Sequence, residues 1–246
     1  RVRSGLLTPP PAEHRVHDCS TIPQHVFVAS GRCHGRRRRV PSRFLRLREN
    51  EAHRWRCLGD SSLGCAWQVP SATIAAMKIA TFNVNGIGAR LSHLLRWLER
   101  ESPDVACLQE LKAPDYRFPS GHIERLGYGC IWHGQVSWNG VAILAKGVQP
   151  KELRRGLPGD PDDTHSRYLE AEVGGMIIGC LYLPNGNPQP GPKFDYKLAW
   201  FERLNAYAKT LYRKTRPVAL VGDFNVVPTD FDIYNPKSWR KDALLQ

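Results

Sequence analysis

The pattern of apolar and polar positions divides the chain at Met77. Beyond it, short apolar runs alternate with amphipathic stretches. Residues 78–82 form an apolar run of strand length that closes in the turn Asn83-Val84-Asn85-Gly86. Leu91, Leu94, Leu95 and Leu98 recur at the spacing of one helical face, with Arg90, Arg96, Glu99 and Arg100 on the wet side and Pro103 as a stop. Residues 104–109 predict a further strand, with Glu110 at its end, and residues 113–127 a loop and short helix. Residues 128–133 and 140–146 read as two strands joined by a turn that holds Trp138 and Asn139; residues 149–165 read as a Gly/Pro/Asp-rich loop. Residues 167–173 alternate, Gly174-Gly175 is a hairpin signal, and residues 176–182 are the partner strand, which runs into Tyr182-Leu183-Pro184-Asn185-Gly186. Leu198, Phe201, Leu204, Ala208 and Leu211 mark a second long amphipathic helix. Pro217 then opens P-V-A-L-V-G-D-F-N, in which residues 218–221 read as a buried strand that Gly222 ends.

Strands, helix, strands, helix, strands, with hairpins among them, is not a strict βαβ alternation. It predicts mixed or antiparallel sheets with helices on their outer faces, an α/β (α+β) sandwich. Residues 1–76 differ. They show no sustained periodicity, and they carry the Pro run 9–11 and the Arg run 36–39. The expectation is two segments: a basic leader, 1–76, that is disordered or no part of the mature protein, and a folded body, 77–246. A basic arm on nucleic acid and an organellar transit peptide are the alternatives for the leader.

Charge sharpens that division. The net charge is +12, but residues 1–76 hold 13 Arg, no Lys and 5 acidic residues (net +8), whereas residues 77–246 hold 22 basic and 18 acidic residues (net +4). High basicity is therefore weak evidence for nucleic-acid binding by the body. Of the seven cysteines, Cys19, Cys33, Cys57 and Cys65 lie in the leader without a compact metal-ligand spacing, and Cys107, Cys130 and Cys180 lie inside apolar runs, where Cys packs as a small hydrophobe. The absence of any C-x-x-C or paired spacing points to a reducing compartment, and the lack of an apolar run of ~18 residues predicts no transmembrane helix.

The candidate chemistry sits where strands end. Asn83, Glu110, Tyr182, and Asp223 with Asn225 close four of them. Asp223 and Asn225 are two apart, so an extended chain points both to one side. Glu110 is a hard oxygen ligand suited to Mg²⁺, which takes one or two carboxylates and keeps most of its waters. Asp223 suits the alignment or deprotonation of a water. Asn225 and Asn83 suit the fixing of that water or a phosphate oxygen without added negative charge, and Tyr182 suits hydrogen bonding to a charged oxygen. Each has a bland reading too: a solvated Glu, an Asp/Asn turn bonding its own backbone, a packing aromatic. Four in order at strand ends carry more than any one, and together they describe metal-assisted hydrolysis of a phosphate ester.

M-K-I-A-T-F-N-V-N-G-I, C-L-Q-E-L-K, W-N-G-V-A-I-L, Y-L-P-N-G and V-G-D-F-N occur in that order from Met77 onward. In these five motifs the body resembles the exonuclease III family of DNA repair nucleases, within the endonuclease/exonuclease/phosphatase superfamily. The resemblance implies a four-layered α/β-sandwich. It implies a cytoplasmic, monomeric, Mg²⁺- or Mn²⁺-dependent enzyme of base excision repair that acts on double-stranded DNA at abasic sites and 3′ ends, away from membranes. By the same resemblance Glu110 and Asn83 belong to the metal site, Tyr182 contacts the scissile phosphate, Asp223 acts in proton transfer and Asn225 orients the nucleophilic water; Asn85 and Asn185 fall to substrate binding. The family continues to a terminal Ser-Asp-His whose His stabilises the pentacovalent charge. The 246 residues end 21 after Asn225, and His93, His122, His133 and His165 match no such motif. The body is thus expected to be the N-terminal two thirds of the family domain, with an incomplete sandwich and an inactive site as it stands. A non-catalytic nucleic-acid-binding relative of the same fold, or a hydrolase of phospholipid headgroups or inositol phosphates, are the competing functions.

Overall fold

The structure is a computed structural model that describes residues 26–30, 44–46, 77–233 and 235–245. The expected apolar runs are strands: β3 (Lys78–Asn83), β4 (Val105–Gln109), β5 (Tyr128–His133), β6 (Val141–Lys146), β8 (Tyr168–Val173), β9 (Met176–Tyr182) and β10 (Val218–Asp223). Three more strands were not foreseen: β1 (Val26–Ser30), β2 (Phe44–Arg46) and β7 (Lys151–Arg155). The long helices are α1 (Ile87–Glu101) and α3 (Pro192–Tyr212), with a short α2 (Ser120–Glu124) between them.

The strands form two five-stranded mixed sheets, ordered β2-β3-β4-β6-β5 and β1-β10-β9-β8-β7. Each sheet contains a parallel pair. β3 runs parallel to β4, with Asn83 level with Gln109, and β9 runs parallel to β10, with Tyr182 level with Asp223. The sheets pack face to face, with β10 across β3 and β4.

Three apolar layers hold this stack. Ile79, Val105, Cys107, Ile143, Leu169, Ile178, Cys180 and Val221 fill the space between the sheets. Leu94 and Leu98 of α1 cover one outer face, against Ala106, Leu108 and Leu144. Trp200, Leu204 and Leu211 of α3 cover the other, against Ile177, Val218 and Leu220. Alternate residues of one strand thus feed different layers, as in Val105/Cys107 against Ala106/Leu108, which is why these central strands read as continuous apolar runs. The result is the expected four-layered sandwich. The three body cysteines are buried and free.

The differences have physical causes. Every residue of β7 (K-E-L-R-R) is exposed, so it has no apolar alternation; it exists because β8 offers it an antiparallel edge. β1 extends the second sheet in parallel register along β10, and β2 extends the first antiparallel to β3. Their partners lie far along the chain, and local periodicity does not report such pairing. The expectation of a disordered or absent leader, and the leader cysteines, otherwise lie outside the described residues. α3 starts at Pro192 and packs Phe201, Leu204, Ala208 and Leu211 of the expected face against the sheet; the departure is in its first half, where Lys197 and Trp200 are buried and Leu198 is exposed. Among the described residues no helix is long and apolar enough to cross a membrane.

Candidate active site

The two parallel pairs end on the same side of the stack, and their ends meet. Asn83, the last residue of β3, donates from Nδ2 to Glu110 Oε1 (2.8 Å) and to Asp223 Oδ2 (2.9 Å). One amide nitrogen thus joins the carboxylate that follows β4 in one sheet to the carboxylate that closes β10 in the other. Tyr182, closing β9, donates its hydroxyl to the same Glu110 Oε1 at 2.9 Å. Lys112 Nζ lies 2.9 Å from Glu110 Oε2 and also donates to Asn85 Oδ1. Asn83, Glu110, Tyr182 and Asp223 form one hydrogen-bonded group.

Asn225 adjoins this group through Asp223. Its backbone N–H donates to Asp223 Oδ1 at 3.0 Å, and its Nδ2 donates to the Leu183 carbonyl. Its side-chain Oδ1 is buried and has no hydrogen-bond partner among the described residues. Such an orphaned acceptor is costly in a core and has the form of a docking point for a water or substrate donor. Asn85 is exposed at the rim; its N–H donates to Asn83 Oδ1 at 3.0 Å. Asn185 is set apart from the carboxylates: its Oδ1 accepts from the Asn187 side chain at 2.7 Å, and Asn187 reaches on to Asp242 at 2.9 Å.

The backbone is bent to make these contacts. Asn85 (φ 45°), Glu110 (φ 55°), Lys112 (φ 49°) and Asn225 (φ 48°) all adopt the left-handed region that non-glycine residues rarely enter. Surrounding main-chain bonds hold them there. Gly86 N–H donates to the Glu110 carbonyl at 2.7 Å, Ile87 N–H to that of Leu111 at 2.9 Å, and Lys112 N–H to that of Asn139 at 3.0 Å. Strain fixed this firmly is a mark of functional sites.

Burial and charge set the protonation. Burial alone would raise the Glu110 carboxyl, but hydrogen bonds from Asn83, Lys112 and Tyr182, with the Lys112 charge, outweigh it and hold the group below its ordinary range. Glu110 is therefore ionised at neutral pH. Burial, followed by the Glu110 charge, pushes the Tyr182 phenol well up, so it remains a donor. Three cations of this region were missed from sequence. Lys112 lies within the C-L-Q-E-L-K motif, two residues after Glu110. Arg167 packs its guanidinium 5.0 Å from the centre of the Tyr182 ring and donates to the Tyr182 carbonyl at 3.2 Å. Lys197 is 2% exposed. Its signal was present: it stands 3 and 7 residues before Trp200 and Leu204, on the apolar stripe of α3.

The donor set fits a hard divalent cation. Among the described residues no group of three or more His, Cys, Asp or Glu gathers to hold a metal ion, so any cation here would have fewer such ligands. Glu110 instead offers an ionised carboxylate whose Oε2 faces an ammonium, a cationic neighbour where a small divalent ion would also be favourable. Two carboxylates with neutral amides between them match Mg²⁺ or Mn²⁺, which need few protein ligands.

Fold and site together define a class: a two-sheet α/β sandwich with an acidic, amide-rich cleft at the carboxyl ends of two parallel strand pairs. The sequence profile of the Endonuclease/Exonuclease/phosphatase family matches residues 80–244, and the chain belongs to that family. It is 38% identical over 174 residues to exodeoxyribonuclease III of Haemophilus influenzae, covering 67% of this chain and 65% of that protein. It is 32% identical over 174 residues to the DNA repair nuclease APEX1 of Danio rerio, covering 69% and 55%. Among solved structures it is similar to the Neisseria 3′ phosphatase NExo bound to a product DNA hairpin (TM-score 0.63, 38% identity, 67% and 63% covered). It is also similar to an AP endonuclease from Archaeoglobus fulgidus (TM-score 0.64, 35% identity, 68% and 65% covered). The chain spans less than two thirds of each of these relatives.

Proposed function

We propose that this chain carries the active site of a metal-dependent hydrolase of DNA phosphodiesters, with double-stranded DNA bearing abasic sites or 3′ ends as substrate. The observation that carries the reading is the Asn83 amide shared by Glu110 and Asp223, at 2.8 and 2.9 Å, because it puts two carboxylates from separate sheets within reach of one phosphate. Relatives named as an exodeoxyribonuclease and a DNA repair nuclease support DNA as the substrate.

Glu110 would hold the cation, with Asn83 beside it. Mg²⁺ or Mn²⁺, when bound, supplies positive charge against the phosphate oxygens. The remaining chemistry is that of side chains. The Asn225 Oδ1 accepts a hydrogen bond from the attacking water and so turns the water's lone pair toward phosphorus. Asp223, aligned by Asn83 and by the Asn225 N–H, takes up the proton that the water loses. Tyr182, a neutral phenol held over the site by Arg167, donates to a phosphate oxygen as charge develops there. Asn85 at the rim, and Asn185 through its amide nitrogen, bind the sugar-phosphate backbone.

The test is cleavage of a duplex with a single abasic site by the full chain in Mg²⁺ and in Mn²⁺, alongside Glu110→Gln and Asp223→Asn. Because Asn83, Glu110, Tyr182 and Asp223 are assembled in this chain, cleavage by the native chain is expected, against the inactivity that the sequence alone suggests, and at least about 10²-fold less in both variants. Salt-dependent DNA binding by all three proteins with no cleavage by any would instead assign the chain to the non-catalytic binders.

A further inference from the structure

α3 buries a lysine against the back of this site. Lys197 donates from Nζ to the Asn225 carbonyl at 2.9 Å and to the Ala243 carbonyl. A buried ammonium is among the rarer things a helix presents to a core. Here it faces main-chain oxygens of two loops that follow the sheet, and one belongs to the residue whose side-chain oxygen is the orphaned acceptor. The carbonyl of Asn225 and its side chain share one backbone conformation, the left-handed φ of 48°. From in front, the Asp223 carboxylate takes the Asn225 N–H; from behind, the Lys197 ammonium takes the Asn225 carbonyl. Between them the peptide planes on both sides of the Asn225 Cα are fixed, and so is the direction of its Cβ.

Gly186 is shaped to the same purpose. A Cβ at that position would lie 2.7 Å from Lys197 Cδ and 3.1 Å from Ala243 Cβ, so the glycine of Y-L-P-N-G leaves the channel through which the lysine stem passes. This gives that glycine a role beyond its positive φ.

We infer that Lys197 is a positioning residue: its buried ammonium, seated past Gly186, locks Asn225 in the conformation that aims its side-chain oxygen into the site. The inference deepens the proposed hydrolase and rests on it for its catalytic consequence, but its structural part stands independently of activity.

The test separates the two. Lys197→Met keeps the stem and removes the donor. Amide hydrogen exchange in the full chain is expected to show at least a tenfold loss of protection at Asn225, with the amides of β9 and β10 unchanged. On an abasic duplex in Mg²⁺, kcat is expected to fall 10- to 100-fold with KM within about threefold, and Lys197→Met added to Asn225→Ala to lose little beyond Asn225→Ala alone. Should Lys197→Met fail to fold, Lys197→Arg replaces it. The longer, planar guanidinium cannot place its donors where the compact ammonium stands, so the same local loss of protection is expected. Unchanged exchange at Asn225, or a loss spread evenly through β9 and β10, overturns the inference. A native chain that cleaves no DNA overturns the hydrolase reading, while the exchange result still decides the role of Lys197.

Discussion

The two halves of the site reach the same place by different means. In the half built on β4, Glu110 is buried less deeply, at 9% exposed, and its carboxylate is dressed by side chains alone: Asn83, Tyr182 and Lys112. In the half built on β10, Asp223 and Asn225 are 1% and 2% exposed, and their polar atoms are met chiefly by main chain or by a buried cation. One half is tuned by charges that can turn toward solvent. The other is set by packing. A site that must accept a cation and a long substrate benefits from an adjustable rim over a rigid floor, and the halves should respond differently to the same kind of change.

The sharpest contrast lies one residue before each carboxylate. Gly222 precedes Asp223, and a Cβ there would lie 1.9 Å from the Leu181 carbonyl oxygen, which belongs to a fully paired neighbouring strand and cannot yield. Gln109 precedes Glu110 and carries a whole buried side chain, donating to the Cys107 carbonyl at 3.1 Å and accepting from Thr81. Gly222→Ala is therefore expected to lower the unfolding free energy by about 3 kcal/mol or more. Gln109→Ala, which leaves Thr81 to find water, should cost about 1–2 kcal/mol. Urea unfolding of the two variants measures the difference, and equal losses would show that the floor is no more rigid than the rim.

A smaller contrast concerns the carboxylates. Asp223→Ala strands two donors, the Asn225 N–H and the Asn83 amide, where Asp223 and Asn225 are only 1% and 2% exposed, at about 2–4 kcal/mol for the pair. Glu110→Ala strands Tyr182 and Asn83 as well, but at a half-open edge where Lys112 can swing out, so about 1–2 kcal/mol is expected. Thermal unfolding at equal ionic strength ranks them. If Glu110→Ala proves the more damaging, the assignment of floor and rim is reversed.

How legible this was from sequence follows the same line. The central strands announced themselves because both their faces are buried, and α1 because Leu94 and Leu98 recur on its inner face. The polar residues at the strand ends were legible because strands stop where apolar runs stop. What failed was whatever depends on a distant partner. β7 is made by the edge that β8 offers and not by its own exposed residues. β1 is made by the open flank of β10. At the start of α3 the buried position is Lys197 and not Leu198, because two carbonyls distant in the sequence make the burial of this lysine favourable. The left-handed turn at Glu110 is likewise invisible locally, since residues 86–87 and 139–140 supply the bonds that hold the backbone around it.

The smallest effect expected lies in the loop that approaches the floor from outside. The Asp163 carboxylate, 4% exposed, accepts from the Tyr196 hydroxyl at 2.9 Å and from Arg203 at 2.9 Å, tying residues 156–166 to α3. Burial alone would raise this carboxyl, but hydrogen bonds from His165, Tyr196 and Arg203 outweigh it and hold it below its ordinary range. The folded state thus binds a proton less readily than the unfolded chain, whose Asp titrates near about 3.9. A depressed carboxyl stabilises the fold fully above that value and ceases to do so as pH falls through the lower folded-state value. Native chain and Asp163→Asn should accordingly differ by a constant amount in unfolding free energy from pH 7 to about 5, and the gap should narrow below pH ~4. Arg167, whose guanidinium also lies 5.9 Å from the Tyr196 ring, links this loop to Tyr182 and through it to Glu110, so weakening it should loosen the Tyr182 side of the site first. A gap that keeps its full width down to pH ~3 would mean that Asp163 is no anchor by virtue of its charge, and that packing alone holds the loop on α3.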